Sequence, residues 1–155
     1  MGRLATLGSL FLLLVQVGQA GYRDRMNLGI GIQAGEPTGV TVNYRATTNT
    51  SLDFAAGWNV FSKRPSVHFG YLIHFPFNTL IVDLSAYSGM GLTFGTNRFN
   101  TESADSTLYL AGRVPLGIEL ISNHLGVYGE VDGFINFLPD NKLGLGGGVG
   151  LRFYF

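Results

Sequence analysis

The 155 residues hold ten basic and ten acidic side chains, a formal net charge of zero, and no cysteine. That balance leaves no electrostatic footprint for nucleic acid, and the missing thiols exclude disulfides and a lipid-anchored cysteine. Charged residues make up only 13% of the chain against a usual quarter or so, while 46% are hydrophobic and 23 are glycine, which is poor cover for a water-soluble surface of this size.

Taken in chain order, Arg3 is followed by an apolar run from Leu4 to Val17, interrupted only by Thr6, Gly8, Ser9 and Gln16. This run is shorter than the ~20 residues of a spanning helix, and Gly18 and Ala20 follow as small residues suited to cleavage. The reading is a signal peptide over 1–20, with a mature domain over 21–155, in preference to a retained anchor helix. Downstream, apolar and polar residues alternate with a period of two. Short alternating runs cover Leu28 to Gln33 and Val40 to Arg45. From Leu52 to Val60, Leu52, Phe54, Ala56 and Trp58 oppose Asp53, Gly57 and Asn59. From Val67 to Phe75, the odd positions oppose His68, Gly70 and His74. The run Leu80 to Gly95 sets Val82, Leu84, Met90 and Leu92 against Asp83, Ser85, Tyr87 and Thr93. Leu108 to Leu120 sets Val114, Leu116 and Ile118 against Tyr109, Arg113 and Glu119. Leu125 to Phe137 sets Val127, Val131 and Ile135 against Tyr128, Glu130 and Asp132. Finally, Leu143 to Phe155 has a greasy face and a second face made of glycine, Arg152 and Tyr154.

Turn-forming clusters separate these eight runs: Gly35 to Gly39, Thr47 to Thr50, Pro76 to Thr79, Ile121 to His124 and Leu138 to Asn141. Two further polar connections run from Ser62 to Ser66 and, longest of all, from Thr96 to Thr107. The predicted fold is all-β, a closed antiparallel up-and-down barrel of about eight strands.

Alternation alone fits two barrels of opposite polarity. A soluble, lipocalin-like carrier of apolar ligands turns its apolar face inward and needs an outer face rich in Lys, Glu and Gln. The non-greasy face of this chain is mostly glycine with scattered Tyr, Asp, Glu, Arg and His, which suits a narrow lumen. Arg45, Arg113 and Arg152 all fall on it, as do Asp53, Asp83, Glu119, Glu130 and Asp132, so a charge-matched network is expected inside. An arginine on the lipid face at mid-depth costs about 2–4 kcal/mol, and this segregation therefore favours a transmembrane barrel. In hydrocarbon every backbone N–H and C=O must be paired internally, which requires a sheet without an edge. Tyr44, Trp58, Phe75, Phe94, Phe137, Phe153 and Phe155 lie near strand ends, where two aromatic girdles belong.

The last strand, Val149-Gly-Leu-Arg-Phe-Tyr-Phe155, resembles the C-terminal signature of bacterial outer-membrane barrel proteins. The resemblance implies that Val149, Leu151, Phe153 and Phe155 form the signal read by the barrel-assembly machinery. The layout is similar to the OmpA-transmembrane-domain and OmpX type. The Gly35-Glu-Pro-Thr-Gly39 turn, Arg113-Val-Pro-Leu-Gly117 and the glycine-rich last strand resemble a group of small outer-membrane barrels without an assigned activity.

Other motifs carry less. Gly29-Ile-Gly31 and Gly144-Leu-Gly146 have no helix after them, so they are not phosphate loops. His68 and His74, six residues apart on one strand face, stand roughly 20 Å apart, too far to share a metal. A lipid-modifying enzyme would need a serine, a histidine and a carboxylate at the outer edge, but no Gly-x-Ser-x-Gly elbow or His-x-Ser pair is present. The expectation is a monomeric structural or surface-interaction barrel of the outer membrane, with a side-chain-filled lumen, no open pore and no cofactor. The alternatives are the lipid-modifying enzyme and the soluble carrier.

Overall fold

The computed structural model describes residues 27–59, 64–77, 82–96, 108–138 and 142–155. The segment 1–20 predicted to be a signal peptide and most of the connection Thr96 to Thr107 lie outside them. Eight strands follow one another: β1 (Leu28–Gly35), β2 (Thr38–Arg45), β3 (Thr50–Asn59), β4 (Arg64–Phe77), β5 (Asp83–Thr96), β6 (Leu108–Ser122), β7 (Leu125–Leu138) and β8 (Leu143–Tyr154). Each pairs antiparallel with the next, and β8 closes on β1 from Gly29↔Tyr154 to Gly35↔Gly148. The described residues contain no helix.

Closure is staggered. Following the paired residues from Gly29 through Asn43, Asp53, Gly70, Gly91, Arg113 and Phe134 leads to Gly144 on β8. Gly29 itself pairs with Tyr154, ten residues further along that strand. Such a shear tilts the strands and, with eight of them, leaves an interior just wide enough for side chains.

The faces of the wall are inverted relative to a soluble protein. Leu116 is 65% exposed and Val131 60%, whereas Arg113 is 2% exposed and Asp132 fully buried. Where side chains are described, every Arg of a strand is buried, and the acidic strand residues are too, save Asp83 at the rim. Trp58, Phe94 and Phe137 are exposed at the end of the barrel that bears the 97–107 connection, here called the loop end. Tyr44, Phe75, Phe153 and Phe155 are exposed at the opposite end, where β1 starts and β8 finishes, here called the termini end.

Glycine gives room to the interior rings. A Cβ at Gly117 would stand 2.3 Å from the Tyr87 ring, one at Gly150 2.4 Å from Tyr128, and ones at Gly29 and Gly126 2.6 and 2.8 Å from Tyr154. Each of these tyrosines thus lies against a glycine of a neighbouring strand, whereas at Gly31, Gly39, Gly57, Gly89 and Gly91 an added Cβ would meet partner-strand backbone instead. Conformation matters at Gly35, whose φ of 136° is one that L side chains rarely adopt. There the first turn is pinned: Thr38 Oγ1 donates to Gly35 O (3.1 Å), and the Glu36 amide donates to Gly147 O (3.0 Å).

Several strands outrun their sequence-predicted limits, whereas β5 begins at Asp83 rather than Leu80, with Leu80 and Ile81 lying outside the described residues. β6 continues to Ser122, so Asn123 and His124 alone turn the chain, with Asn123 in the left-handed region at φ 53°. β4 likewise runs through Pro76, paired with Ser85, and begins at Arg64, inside the predicted polar connection. Ladder pairing to a neighbour extends a strand beyond the point where its composition stops alternating. Pro115 sits inside β6 without an amide to donate; pairing with β5 skips from Ser88↔Leu116 to Gly91↔Arg113, and the Ser88 hydroxyl donates to Pro115 O (3.0 Å) instead.

Candidate functional site

The inward residues nearest the middle of the barrel form one chain of charges. Arg45 on β2 pairs with Glu119 on β6. Glu119 also accepts from the Tyr154 hydroxyl (2.5 Å) and lies 3.7 Å from Arg152 on β8. Arg152 donates from Nη2 to Asp53 Oδ1 (2.6 Å) and Thr41 Oγ1 (2.7 Å), and its guanidinium lies over the Tyr128 ring at 3.9 Å. Asp53 in turn lies 3.7 Å from Arg113, which donates from Nε to Asp132 Oδ1 (2.8 Å) and from Nη2 to Glu130 Oε1 (2.5 Å). The Tyr87 hydroxyl caps the series by donating to Glu130 Oε2 (2.9 Å).

These contacts join six of the eight strands across the barrel, which backbone ladders alone cannot do. Three guanidiniums face four carboxylates in a water-poor space, where mutual attraction offsets a desolvation cost of several kcal/mol per ion. Asp83, placed in this group on sequence grounds, is exposed at the start of β5 instead. Its parity points it inward, but at the termini end the wall stops and the side chain meets the surroundings.

Neutral residues complete the packing, and period-two alternation alone did not reveal their roles. Tyr128 donates to Gln33 Oε1 (2.6 Å), and Gln33 Nε2 donates to Pro37 O (2.8 Å), tying the interior to the first turn. Asn43 Nδ2 donates to Ser51 Oγ (3.0 Å) and Asp53 Oδ1 (3.3 Å), and Ser51 Oγ lies 2.8 Å from His74 Nε2. A serine and a histidine are therefore hydrogen-bonded. Both are buried, however, and the nearby Asp53 is held by Arg152 and Asn43. The only sequence signal for these partners was a polar residue on the glycine face of a strand; which one reaches which depends on the stagger.

On the outside, Val149, Leu151, Phe153 and Phe155 form a continuous exposed row along and beyond β8, with Phe153 and Phe155 edge-to-face at 5.1 Å. His124 stacks on Phe153 at 5.5 Å, and the Phe155 amide donates to Leu28 O (2.9 Å).

Among solved structures, the N-terminal β-barrel domain of Pseudomonas aeruginosa OprF superposes on this chain with a TM-score of 0.58 at 16% identity, covering 83% of this chain and 94% of that one. The two share a fold. At that identity the likeness carries architecture and nothing finer. No protein-family model and no curated protein matches the chain.

Proposed function

We propose that the protein is a structural or surface-interaction barrel of a bacterial outer membrane, inserted with its termini end toward the periplasm and its loop end outward. One observation carries the reading: the wall is apolar outside and charged inside, the reverse of what water requires. Six of the eight strands have ten or more residues, enough for a tilted span that needs about 9–11. The exposed aromatics at both ends fit two interfacial girdles.

The ion-paired, tyrosine-filled middle leaves no continuous channel in this reading, so the barrel acts as an anchor that holds its outer connections in place. A soluble carrier fits less well, because an apolar ligand would have to displace three arginines and four carboxylates. The outward row Val149, Leu151, Phe153 and Phe155 is the surface offered to the assembly machinery during biogenesis. No cofactor and no partner subunit enters the reading.

Cell fractionation tests it. The chain is expected in the outer-membrane fraction, released only by detergent, and folded material should migrate faster than boiled material on a gel. Release into the aqueous periplasmic fraction without detergent would overturn the membrane assignment.

A further inference from the structure

β8 and β1 close the barrel unevenly. Their ladder ends at Gly35↔Gly148, with one further bond from the Glu36 amide to Gly147 O (3.0 Å), whereas β8 stays paired with β7 as far as Ile135↔Leu143. The first residues of β8 therefore have a strand on one side only. Lys142 O accepts from Asn136 N on β7, and Gly147 O accepts from Glu36 N on the opposite side. Hydrogen-bonding residues of an antiparallel strand alternate between its two neighbours. The N–H and C=O of Leu143 and Leu145 thus point the same way as those of Gly147, away from β7, and no described strand stands there. Exposure shows the same gap: at 83% each, Leu143 and Leu145 are the most exposed large apolar residues described.

An open edge is a template for another strand, and proteins usually blunt one with charge, proline or a bulge. Leu143-Gly-Leu-Gly-Gly147 has neither charge nor proline, and its pairing with β7 is regular. The edge also meets the interior. At the loop-end mouth, a cavity of about 220 Å³ is lined by Ser66, His68, Thr93 and Asn136, and by Gly144 and Leu145 of the edge. Leu145 turns its side chain outward, so the hollow reaches the wall at its backbone. Glu36, which leans over Gly146, is the one carboxylate of the described lining, and no Arg or Lys faces it there.

We propose that residues 143–147 form a strand-addition site for an extended peptide segment of a partner protein, in the place that a longer β1 would fill. Residues directly opposite each other share a face of the sheet. Two apolar residues opposite Leu143 and Leu145 would pack outward against them and exchange N–H···O bonds with them. A basic residue between the two, opposite Gly144, would point into the hollow toward Glu36. Main-chain bonds then supply affinity, and the alternating side chains supply selectivity. A second copy of this chain fits less well, because its own edge brings glycine to the hollow and no cation. The site deepens the surface-interaction reading and rests on it for the outward placement of the loop end. Binding is measured on the purified barrel, so failure there is distinct from failure of the membrane assignment, which fractionation decides.

The probe is a capped, fluorescein-labelled peptide, Thr-Val-Lys-Val-Thr, titrated by fluorescence anisotropy against the folded protein in a nonionic detergent. Saturable binding is expected in the millimolar range or below. N-methylation of both valines, whose amides face β8, should weaken it about tenfold or more, whereas N-methylation of the lysine, whose amide faces away, should leave it within about threefold. Exchanging the lysine for glutamate should weaken binding about fivefold or more, and Glu36→Gln should abolish that difference. Leu145→Pro removes an N–H from the free side alone, as edge strands tolerate, and should cost about tenfold, while Leu145→Val keeps binding. Heat-modifiable gel migration checks that the variants fold, and the N-methylated peptides decide the matter on the parent protein should the proline variant not fold. The proposal falls if the peptide does not bind saturably, if the valine-methylated or glutamate peptide binds equally well, or if folded Leu145→Pro binds as the parent does. It falls too if the protein sediments as a dimer that Leu145→Pro dissociates, since a second copy then fills the edge.

Discussion

The middle of the barrel and its loop-end mouth lie on the same inward face and obey the same alternation, yet they end differently. In the middle, each charged side chain has an ionic partner on another strand, across the interior for Arg45–Glu119 and Arg152–Asp53 and on the adjacent strand for Arg113 with Glu130 and Asp132. At the mouth, Ser66, Thr93 and Asn136 are short, and Ser66 Oγ, Thr93 Oγ1 and Asn136 Oδ1 reach no hydrogen-bond partner among the described residues. Long side chains (Arg, Glu, Tyr) can bridge a lumen of this width, whereas hydroxyls and a carboxamide cannot. The same fold thus builds an ion-paired core where side chains are long and a hollow where they are short, although Arg45 Nε, Arg113 Nη1 and Asp132 Oδ2 in the middle also lack a hydrogen-bond partner among the described residues.

Substitutions can break this contrast or sharpen it. The largest effect is expected from Arg152→Leu, which strands Asp53 and Thr41 in the middle. Removing one member of a buried ionic network costs about 3–5 kcal/mol, read as a lowered urea midpoint for unfolding from lipid vesicles. Next, Val131→Arg should cost about 2–4 kcal/mol in the same assay if that face meets lipid. Its neighbour Asp132→Asn, which keeps an acceptor for Arg113, should cost clearly less; equal costs would mean the faces have been assigned the wrong way round. Gly150→Val drives a branched side chain into the Tyr128 ring, and overpacking of this kind costs about 1–3 kcal/mol. The smallest effect belongs to the mouth. Thr93→Val removes a hydroxyl without a described partner at constant shape, so stability should stay within ~0.5 kcal/mol or rise. A loss above 1 kcal/mol or so would show that the Thr93 hydroxyl has a structural partner.

Much of the barrel was legible residue by residue. Leu116, Val131 and Leu151 on one parity, with Arg113, Asp132 and Arg152 on the other, set the two faces before any coordinates, because a strand has a strict period of two. Boundaries were less legible. Pro76 and Ser122 read as turn residues by composition, yet each sits in a ladder that its neighbour prolongs. Asp83 shows a further limit: parity fixes the direction of a side chain but not how deep it lies. The mouth was invisible at that level, since Ser66 fell in a predicted connection and Asn136 shares the polar parity of Tyr128, Glu130 and Asp132 with nothing to set it apart.

By itself, the amino-acid sequence determined an all-β chain of eight alternating segments whose greasy and polar faces are cleanly separated, since each follows from local stereochemistry. Only the tertiary structure decided that Arg152 meets Asp53, that Tyr128 lies over Gly150, and that Ser66, His68, Thr93 and Asn136 gather around one hollow at the loop end. Those relations depend on the ten-residue stagger with which β8 closes on β1, which offsets residues across the interior. A stagger is a property of the closed sheet as a whole, and no single segment encodes it.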